Sequence, residues 1–268
     1  MAGGVWLVHI VWAPLDVSAV ERFVAAYKAH PPGEEHRLAV IYKGFAAPED
    51  AAPHEAIIGP YAQHRIDYTK PTLDLPAYGH AADVLDAEHL CFVNSESVPL
   101  VEGWLAALAA AVREPGVGAV GATGSYETTQ SRLPWRRGRW PAFPNPHLRT
   151  NAFMISREVM RGLDWPDVET KTQAWELESG RRGMTRQLWA RGLQTLVVGR
   201  DRRGFPPQRW AESATFRSGD QANLLVADNR TRQWEAADPA ERTHLSRLAW
   251  GDDRAATAAA APAGPRSR

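Results

Sequence analysis

The stretch that decides the fold is residues 89–122, HLCFVNSESVPLVEGWLAALAAAVREPGVGAVGA. Its first five residues, 89–93, are apolar and β-prone, which predicts a buried strand. The strand runs into the polar sequence NSES at 94–97. In an open α/β sheet, ligands bind outside the carboxyl ends of the strands. Four polar side chains at such an end therefore indicate a candidate site.

The remainder of this stretch predicts a helix and a second strand. We expect Pro99 to open the helix, since proline suits a first helical position. Residues 117–120 are apolar again and predict the next strand. The apolar stripe of the helix is Trp104, Leu105, Leu108, Ala109 and Val112.

Composition narrows the class of protein. The 268 residues, 44% of them hydrophobic, suit one large domain, which we place at 1–253. A formal net charge of zero gives no indication of a nucleic-acid partner. The single cysteine, Cys91, excludes an internal disulfide and favours a reducing compartment. Its apolar neighbours favour a core residue over a nucleophile.

No segment approaches the roughly 20 apolar residues that span a bilayer. The apolar segment 5–12 lacks a basic start and a cleavage site, so it predicts a core strand rather than a signal peptide. We therefore expect a cytoplasmic protein with at most peripheral contact with the inner face of the membrane.

Hydrophobic periodicity predicts alternating strands and helices along the chain. Asp16 and Ser18 are candidate caps of the first helix. This βαβ alternation favours a doubly wound α/β sheet. The expected strands are 5–12, 37–43, 56–59, 89–94, 117–120, 148–156 and 193–198, and the expected helices are 18–29, 76–86, 157–163 and 185–192. Residues 132–147 are expected to form a surface loop, 205–250 a mixture of helix and loop, and 254–268 a disordered tail.

The block at 89–122 resembles the middle of a family 2, GT-A-type glycosyltransferase. Those enzymes carry an apolar strand ending in Asp-x-Asp, an apolar-Pro segment, a Trp-Leu helix and a Val-Gly-apolar-Val-Gly strand. The two aspartates are replaced here by Asn94 and Glu96. The matching residues are Phe92-Val93-Asn94-Ser95-Glu96, Val98-Pro99, Gly103-Trp104-Leu105 and Val117-Gly118-Ala119-Val120-Gly121.

The chain also resembles a group of uncharacterised glycosyltransferase-like proteins from bacterial surface-polysaccharide gene clusters, over about residues 5–250. Four segments carry this second resemblance: NSES at 94–97, HLRTNAF at 147–153, ESG at 178–180 and QANLLVADN at 221–229. The resemblances imply a GT-A-type, Rossmann-like, doubly wound mixed sheet flanked by helices, with a C-terminal helical and loop extension. The nucleotide-sugar half would be about 1–125 and the acceptor half about 126–253.

The family implies roles in donor binding for the end of the central strand. Asp74, Asn94, Ser95 and Glu96 would contact the nucleotide sugar, and Glu96 would bind Mg²⁺ or Mn²⁺, since carboxylate oxygens suit these metals. The alternative for 94–97 is a cap of the next helix, and Asp74 is equally well explained as a helix cap.

Glu178, and less strongly Glu176, match the family's acidic motif, whose acid deprotonates the acceptor in inverting members. The alternative is a solvated helix start, where acids offset the helix dipole. His147, Arg149, Thr150 and Asn151 form a dense polar cluster before an apolar strand, and we expect them to bind the acceptor or a phosphate.

Three further groups are candidates for binding roles. Arg181, with Arg182 and Arg186, would neutralise the diphosphate if no metal is used, or would simply be an exposed basic face. The indole- and arginine-rich loop 135–140 is expected to contact an acceptor or anionic lipid. A second polar cluster is expected either to cover the donor or to provide a cap and a turn; it comprises Asp220, Gln221, Asn223, Asp228 and Asn229.

The resemblances thus imply transfer of a sugar from a nucleoside-diphosphate donor to a hydroxyl on a glycan, lipid carrier or small molecule. An inverting, metal-assisted mechanism is the family default. One alternative is a glycosyltransferase-like protein that only binds sugar or nucleotide, or that partners a true transferase. Another is a metal-independent transferase in which Arg149 or Arg181 replaces the cation.

Overall fold

A computed structural model describes residues 3–70, 73–128, 138–165, 168 and 170–252. The strands are β1 Val5–Trp12, β2 His36–Lys43, β3 His64–Tyr68, β4 His89–Val93, β5 Val98–Pro99, β6 Val117–Gly121, β7 Gly124–Ser125, β8 His147–Leu148, β9 Ala152–Ser156, β10 Gln194–Val198, β11 Gly204–Phe205 and β12 Val226–Ala227. The α-helices are α1 Val17–Ala29, α2 Ala52–Ile58, α3 Asp74–Val84, α4 Trp104–Val112, α5 Arg157–Arg161, α6 Lys171–Ser179, α7 Met184–Ala190, α8 Asn229–Ala236 and α9 Pro239–Trp250.

Eight of the strands form one mixed sheet in the order β11-β10-β6-β9-β4-β1-β2-β3. Strand β1 is parallel to β2 and β4, β2 is parallel to β3, and β6 is parallel to β10. Strand β9 runs antiparallel between β4 and β6, and β11 is antiparallel to β10. The parallel strands therefore present their carboxyl ends at one edge of the sheet, where ligands of such folds bind.

Helices cover both faces of the sheet, which confirms the predicted α/β architecture. Successive side chains of β1 alternate between the faces. Trp6 and Ile10 join one hydrophobic cluster with Tyr78 of α3, whereas Leu7 joins the other with Trp104 of α4. Each face of the sheet thus has its own buried core, as expected for a doubly wound fold.

The first strand, the first helix and the lone thiol are as predicted. Strand β1 has the expected bounds, and the Asp16 side chain accepts a hydrogen bond from the backbone N–H of Ser18 at the start of α1. Cys91 is fully buried in β4, and burial raises the pKa of its thiol. A protonated thiol in an apolar strand is a core residue.

Two predictions in the first half are wrong. Residues 56–59 belong to α2 and the 3-10 turn after it, because His54 and Ile58, one helical turn apart, are both buried. Pro99 does not open a helix but lies in β5, which pairs with β12. Helix α4 begins at Trp104, after Gly103 with a left-handed φ of +73°.

The predicted strand 148–156 is interrupted. His147–Leu148 pairs with β7 as a separate short strand, and Ala152–Ser156 enters the main sheet. The turn at 149–151 between them places three polar residues at the carboxyl edge of the sheet. Of the predicted loop 132–147, residues 132–137 lie outside the described part, as does the predicted tail 254–268. Trp140 is buried rather than exposed on a loop.

Within the described ranges, no helix is long and apolar enough to cross a membrane.

Candidate active site

Two adjoining cavities lie at the carboxyl edge of the sheet and share Arg149, Glu178 and Arg230. The Asp74 cavity, of about 200 Å³, is lined by these three residues and by Asp74, Asn94, Thr150, Asn151, Asp228 and Asn229, among others. The His147 cavity, of about 470 Å³, is lined by the shared three and by Glu127, His147, Trp175, Phe216, Arg217 and Gln233, among others.

Glu178 forms part of the wall between the two cavities. Its Oε1 accepts hydrogen bonds from the Thr150 hydroxyl at 2.8 Å and from the Thr150 backbone N–H at 3.3 Å. It lies in the last turn of α6, not at a helix start as the alternative explanation required. A carboxylate is disfavoured by the helix dipole at that end. Helix stability therefore does not explain Glu178.

Arg149, in the turn between β8 and β9, is fixed by an ion pair with the buried Asp228. Its Nη2 lies 2.5 Å from Oδ2 of Asp228, and its Nη1 donates to the Thr123 hydroxyl at 3.2 Å. Asp228 is the N-cap of α8, and its Oδ1 accepts from the backbone N–H of Thr231. Burial alone would raise the pKa of Asp228, but Arg149 and these hydrogen bonds lower it below its ordinary value. The ion pair thus joins the turn between β8 and β9 to the start of α8.

His147 is buried in the wall of the His147 cavity. Its Nδ1 lies 2.8 Å from the carbonyl oxygen of Asn145. Since a carbonyl only accepts, Nδ1 carries the proton and Nε2 is left as an acceptor. Burial lowers the pKa of His147 and outweighs the opposing effect of Glu178. A neutral imidazole with a free lone pair can accept a hydrogen bond from a hydroxyl.

Asp74, at the start of α3, forms an ion pair with Lys43 at the end of β2. The Lys43 side chain is only 4% exposed. The end of β2, the start of α3 and the end of β4 thereby contribute a cation, a carboxylate and the Asn94 amide to the same region. This arrangement suits the polar groups of a ribose or a phosphate.

The polar run at 94–97 is largely closed on itself. Oδ1 of Asn94 accepts from the Glu96 backbone N–H at 3.1 Å and from the Ser97 hydroxyl at 2.8 Å. Glu96 is turned away from both cavities: its Oε2 lies 2.7 Å from Arg232 of α8 and 3.9 Å from Arg22 of α1. Ser95 lines neither cavity in the described structure.

These residues, as placed, do not fit a divalent cation. The Glu96 carboxylate is already neutralised by guanidinium groups, and the Asn94 oxygen already accepts two hydrogen bonds. The described residues contain no cluster of three or more His, Cys, Asp or Glu side chains that could hold a metal. Magnesium and manganese need several oxygen ligands on one side of the ion. Metal binding by Glu96 thus requires it to leave Arg232.

The other predicted residues are dispersed. Glu176 lies 3.0 Å from Arg139 and lines neither cavity in the described structure. Arg181 donates to the carbonyl oxygen of Gly138, and Arg182 pairs with Asp164, so neither faces the site. Arg186 donates to Asn145 at 3.2 Å, and burial and Arg181 lower its pKa.

The second polar cluster divides in two. Asp228 and Asn229 line the Asp74 cavity, and Asp228 is a helix cap rather than part of a turn. Gln221 and Asn223 are bonded to the protein interior: Gln221 donates to the Thr231 carbonyl at 3.2 Å, and Asn223 donates to the Ser213 carbonyl at 3.0 Å. Asp220 is almost fully exposed.

Sequence reasoning missed several charged residues in or beside the two cavities: Lys43, Glu127, Arg217 and Arg230. Lys43 could have been predicted as a site residue, because it is the last residue of a predicted parallel strand, where ligands bind. The other three approach the site only through the packing of segments distant in sequence.

One structural relative is a mannosyltransferase from Pyrobaculum calidifontis in complex with GDP-Man and Mn²⁺. The TM-score is 0.50 at 12% sequence identity, and the alignment covers 97% of this chain and 74% of that one. No protein-family model and no curated protein matches the sequence. At this identity the likeness establishes the fold. The protein has a GT-A-like α/β fold, a mixed eight-stranded sheet flanked by helices.

Proposed function

We propose that the protein transfers a sugar from a nucleoside-diphosphate donor to a hydroxyl group of an acceptor. The observation that carries the proposal is the position of Glu178 between two cavities at the carboxyl edge of the sheet. A transferase needs a base between donor and acceptor, within hydrogen-bond reach of the attacking hydroxyl. The fold it shares with a mannosyltransferase is consistent with this chemistry.

In this proposal the donor occupies the Asp74 cavity. Asp74 and Asn94 contact the nucleotide or its sugar, since both line that cavity. Arg149 and Arg230 lie on the same wall and neutralise the diphosphate as it leaves. Guanidinium groups suit this role, because their planar N–H donors match phosphate oxygens.

The acceptor enters the His147 cavity. Glu178 removes the proton of its hydroxyl while that oxygen attacks the anomeric carbon; the bond to the diphosphate oxygen breaks and its electron pair leaves with the diphosphate. The hydrogen bond from Thr150 holds Glu178 in position. The neutral His147 accepts a hydrogen bond from another hydroxyl of the acceptor. Direct displacement inverts the anomeric centre, which is the family default.

The charge on the leaving diphosphate falls to the arginines rather than to a metal. This choice is supported by the Glu96–Arg232 ion pair, since Glu96 is the residue to which the resemblance assigns the cation. EDTA is therefore expected to leave turnover unchanged. Were Mg²⁺ or Mn²⁺ used, Glu96 would have to exchange Arg232 for the ion.

The proposal is tested by thermal denaturation of the full chain with a panel of nucleoside diphosphates, with and without Mn²⁺. A ligand that binds only the folded state raises the melting temperature. A shift without metal, together with release of the nucleoside diphosphate from a sugar donor when acceptor is added, is expected. A shift without transfer would favour the binding-only alternative. No shift with any nucleotide would contradict the proposal.

A cytoplasmic protein is part of the proposal, because nucleotide sugars are its substrates and Cys91 is a free thiol. A glycan or lipid-linked acceptor would bring it to the membrane surface, at most as a peripheral protein.

A further inference from the structure

Arg217 places a buried cation in the His147 cavity that the proposed transfer does not use. Its side chain is 4% exposed, and its Nη1 donates to Glu127 at 3.2 Å. Its Nε is buried without a hydrogen-bond partner in the described structure. An unpaired buried N–H of a charged group is costly. The ion-pair partner of Arg217 among the described residues is Glu127, which is itself partly exposed, so an anionic group in the cavity would offset part of the cost of burying this cation.

The surroundings of Arg217 are also cationic. Arg149 and Arg230 line the same cavity. The guanidinium carbons of Arg149 and Arg217 lie 4.1 and 4.9 Å from the centroid of the same ring, that of Phe216. Burial lowers the pKa of Arg217, Glu127 raises it, and Arg149 and Arg230 lower it further. An anion bound among these three guanidinium groups would relieve their mutual repulsion.

The backbone that presents Arg217 is strained. Left-handed φ values are rare for non-glycine residues, yet four occur in eight residues: Ala214, Arg217, Asp220 and Gln221, at 53°, 47°, 49° and 50°. Buried hydrogen bonds hold this segment, including one from the Trp250 indole to the Phe216 carbonyl at 2.7 Å. Strain of this kind persists where the surroundings fix it, and it is concentrated at ligand clamps.

We infer that the His147 cavity binds an acceptor carrying a phosphate or carboxylate group, and that Arg217 binds this group. The inference rests on the proposed function, which makes this cavity the acceptor site. Trp175 gives the cavity aromatic surface suited to a sugar face. Glu127, whose side chain is 38% exposed, is the counter-ion that the incoming anion displaces.

The experiment titrates the full chain, saturated with the nucleoside diphosphate that stabilises it, with glucose 6-phosphate, glucuronate and glucose. Calorimetry is expected to give dissociation constants at least about tenfold lower for one or both anionic sugars than for glucose, as charge-assisted hydrogen bonds require. Whichever of glucose 6-phosphate and glucuronate has the lower dissociation constant indicates whether the acceptor carries a phosphate or a carboxylate. Equal binding of all three would overturn the inference.

Three variants locate the site. Arg217→Gln is expected to weaken binding of the anionic sugar about tenfold. Because Arg217 is buried and its replacement risks misfolding, Glu127→Gln gives a test of opposite sign: removal of the competing carboxylate should strengthen binding severalfold. Arg113→Gln, at the opposite edge of the sheet where it pairs with Glu34, is the control and should change nothing.

An unchanged dissociation constant in Glu127→Gln would overturn the inference. So would binding of the anionic sugar that is seen without nucleotide and lost at saturating nucleotide, since the sugar would then occupy the Asp74 cavity. Failure of the proposed function is a different result. It appears as absence of any nucleotide binding before a sugar is added.

Discussion

The turn after β4 and the turn between β8 and β9 lie at the same edge of the sheet but differ in where their polar groups are directed. In the first, Asn94 bonds to its own turn and Glu96 pairs with Arg232. In the second, Arg149 pairs with Asp228 and Thr150 bonds Glu178, both far away in the chain. In the first turn Asn94 is satisfied locally and Glu96 pairs with distant arginines outside both cavities, whereas the second turn assembles residues from several elements around the cavities.

This difference shows why a polar strand end is only a first indication of a site. Short-range hydrogen bonds within a turn satisfy its polar groups without any ligand. Polar groups drawn together from distant segments, and open to two cavities, have no such local explanation. By this criterion the turn between β8 and β9 is the centre of the candidate site.

The largest expected effect is on the rate of sugar transfer, and it should differ between two glutamates of the same helix, α6. Glu178→Gln should lower the rate of sugar transfer by roughly 10²–10⁴, the usual contribution of a general base. Glu176→Gln, whose carboxylate contacts Arg139 outside both cavities, should retain most of the activity. Initial rates of nucleoside-diphosphate release measure both. Equal losses in the two variants would remove Glu178 from its proposed role.

The second effect is on stability. Asp228→Asn keeps a capping side chain but leaves Arg149, which is largely but not fully shielded from solvent, without its counter-ion, at a cost of about 1.5–3 kcal/mol in the free energy of unfolding. Urea denaturation measures it. Asp238→Asn is the matched control, since Asp238 also caps a helix, α9, but is exposed; its change should be a few tenths of a kcal/mol, about 0.3.

The same pair predicts a pH dependence. The pKa of Asp228 lies below its ordinary value of 3.8 in the folded protein. Its contribution to stability is therefore complete above pH 3.8 and is lost as the pH falls through the lower folded value. Wild-type protein should lose stability more steeply than Asp228→Asn in that range. Parallel curves for the two proteins would contradict the ion pair.

The smallest effect tests the turn after β4. Asn94→Ala removes the acceptor for the Glu96 backbone N–H and the buried Ser97 hydroxyl, which should cost about 1 kcal/mol. Ser95→Ala serves as the control and should be neutral. A much larger loss of stability, or none, would show that the turn is not held by these bonds.

The central sheet and its first helix could be predicted from the sequence, because their signals are local. Alternation and capping determine β1 and α1 within a few residues. Residues 56–59 were assigned to the wrong element because a four-residue apolar run fits a strand or a helix equally well. The helical answer depends on the burial of His54 and Ile58 together.

The candidate site was predictable in part. Asp74, Asn94, Arg149, Thr150, Asn151 and Glu178 do line one cavity, although they come from four separate elements or turns. The directions of Glu96 and Glu176 were not predictable, since two residues along a turn or helix reverse the side a carboxylate faces. Arg217 and Arg230 join the site because α8 and the segment before it pack against the turn at 149–151. The polar cluster at 220–229 indicated this segment, but nothing local singled out either arginine.

The most direct test of this account is the dissociation constant of the stabilising nucleoside diphosphate, measured by calorimetry in wild type, Arg230→Gln and Glu96→Gln, each with EDTA and with Mn²⁺. Arg230 is exposed and lines both cavities, so its replacement should leave the fold intact. We predict that Arg230→Gln weakens binding about tenfold, and that Glu96→Gln and Mn²⁺ change little. Wild-type affinity in Arg230→Gln, with Mn²⁺-dependent binding that Glu96→Gln abolishes, would contradict the account.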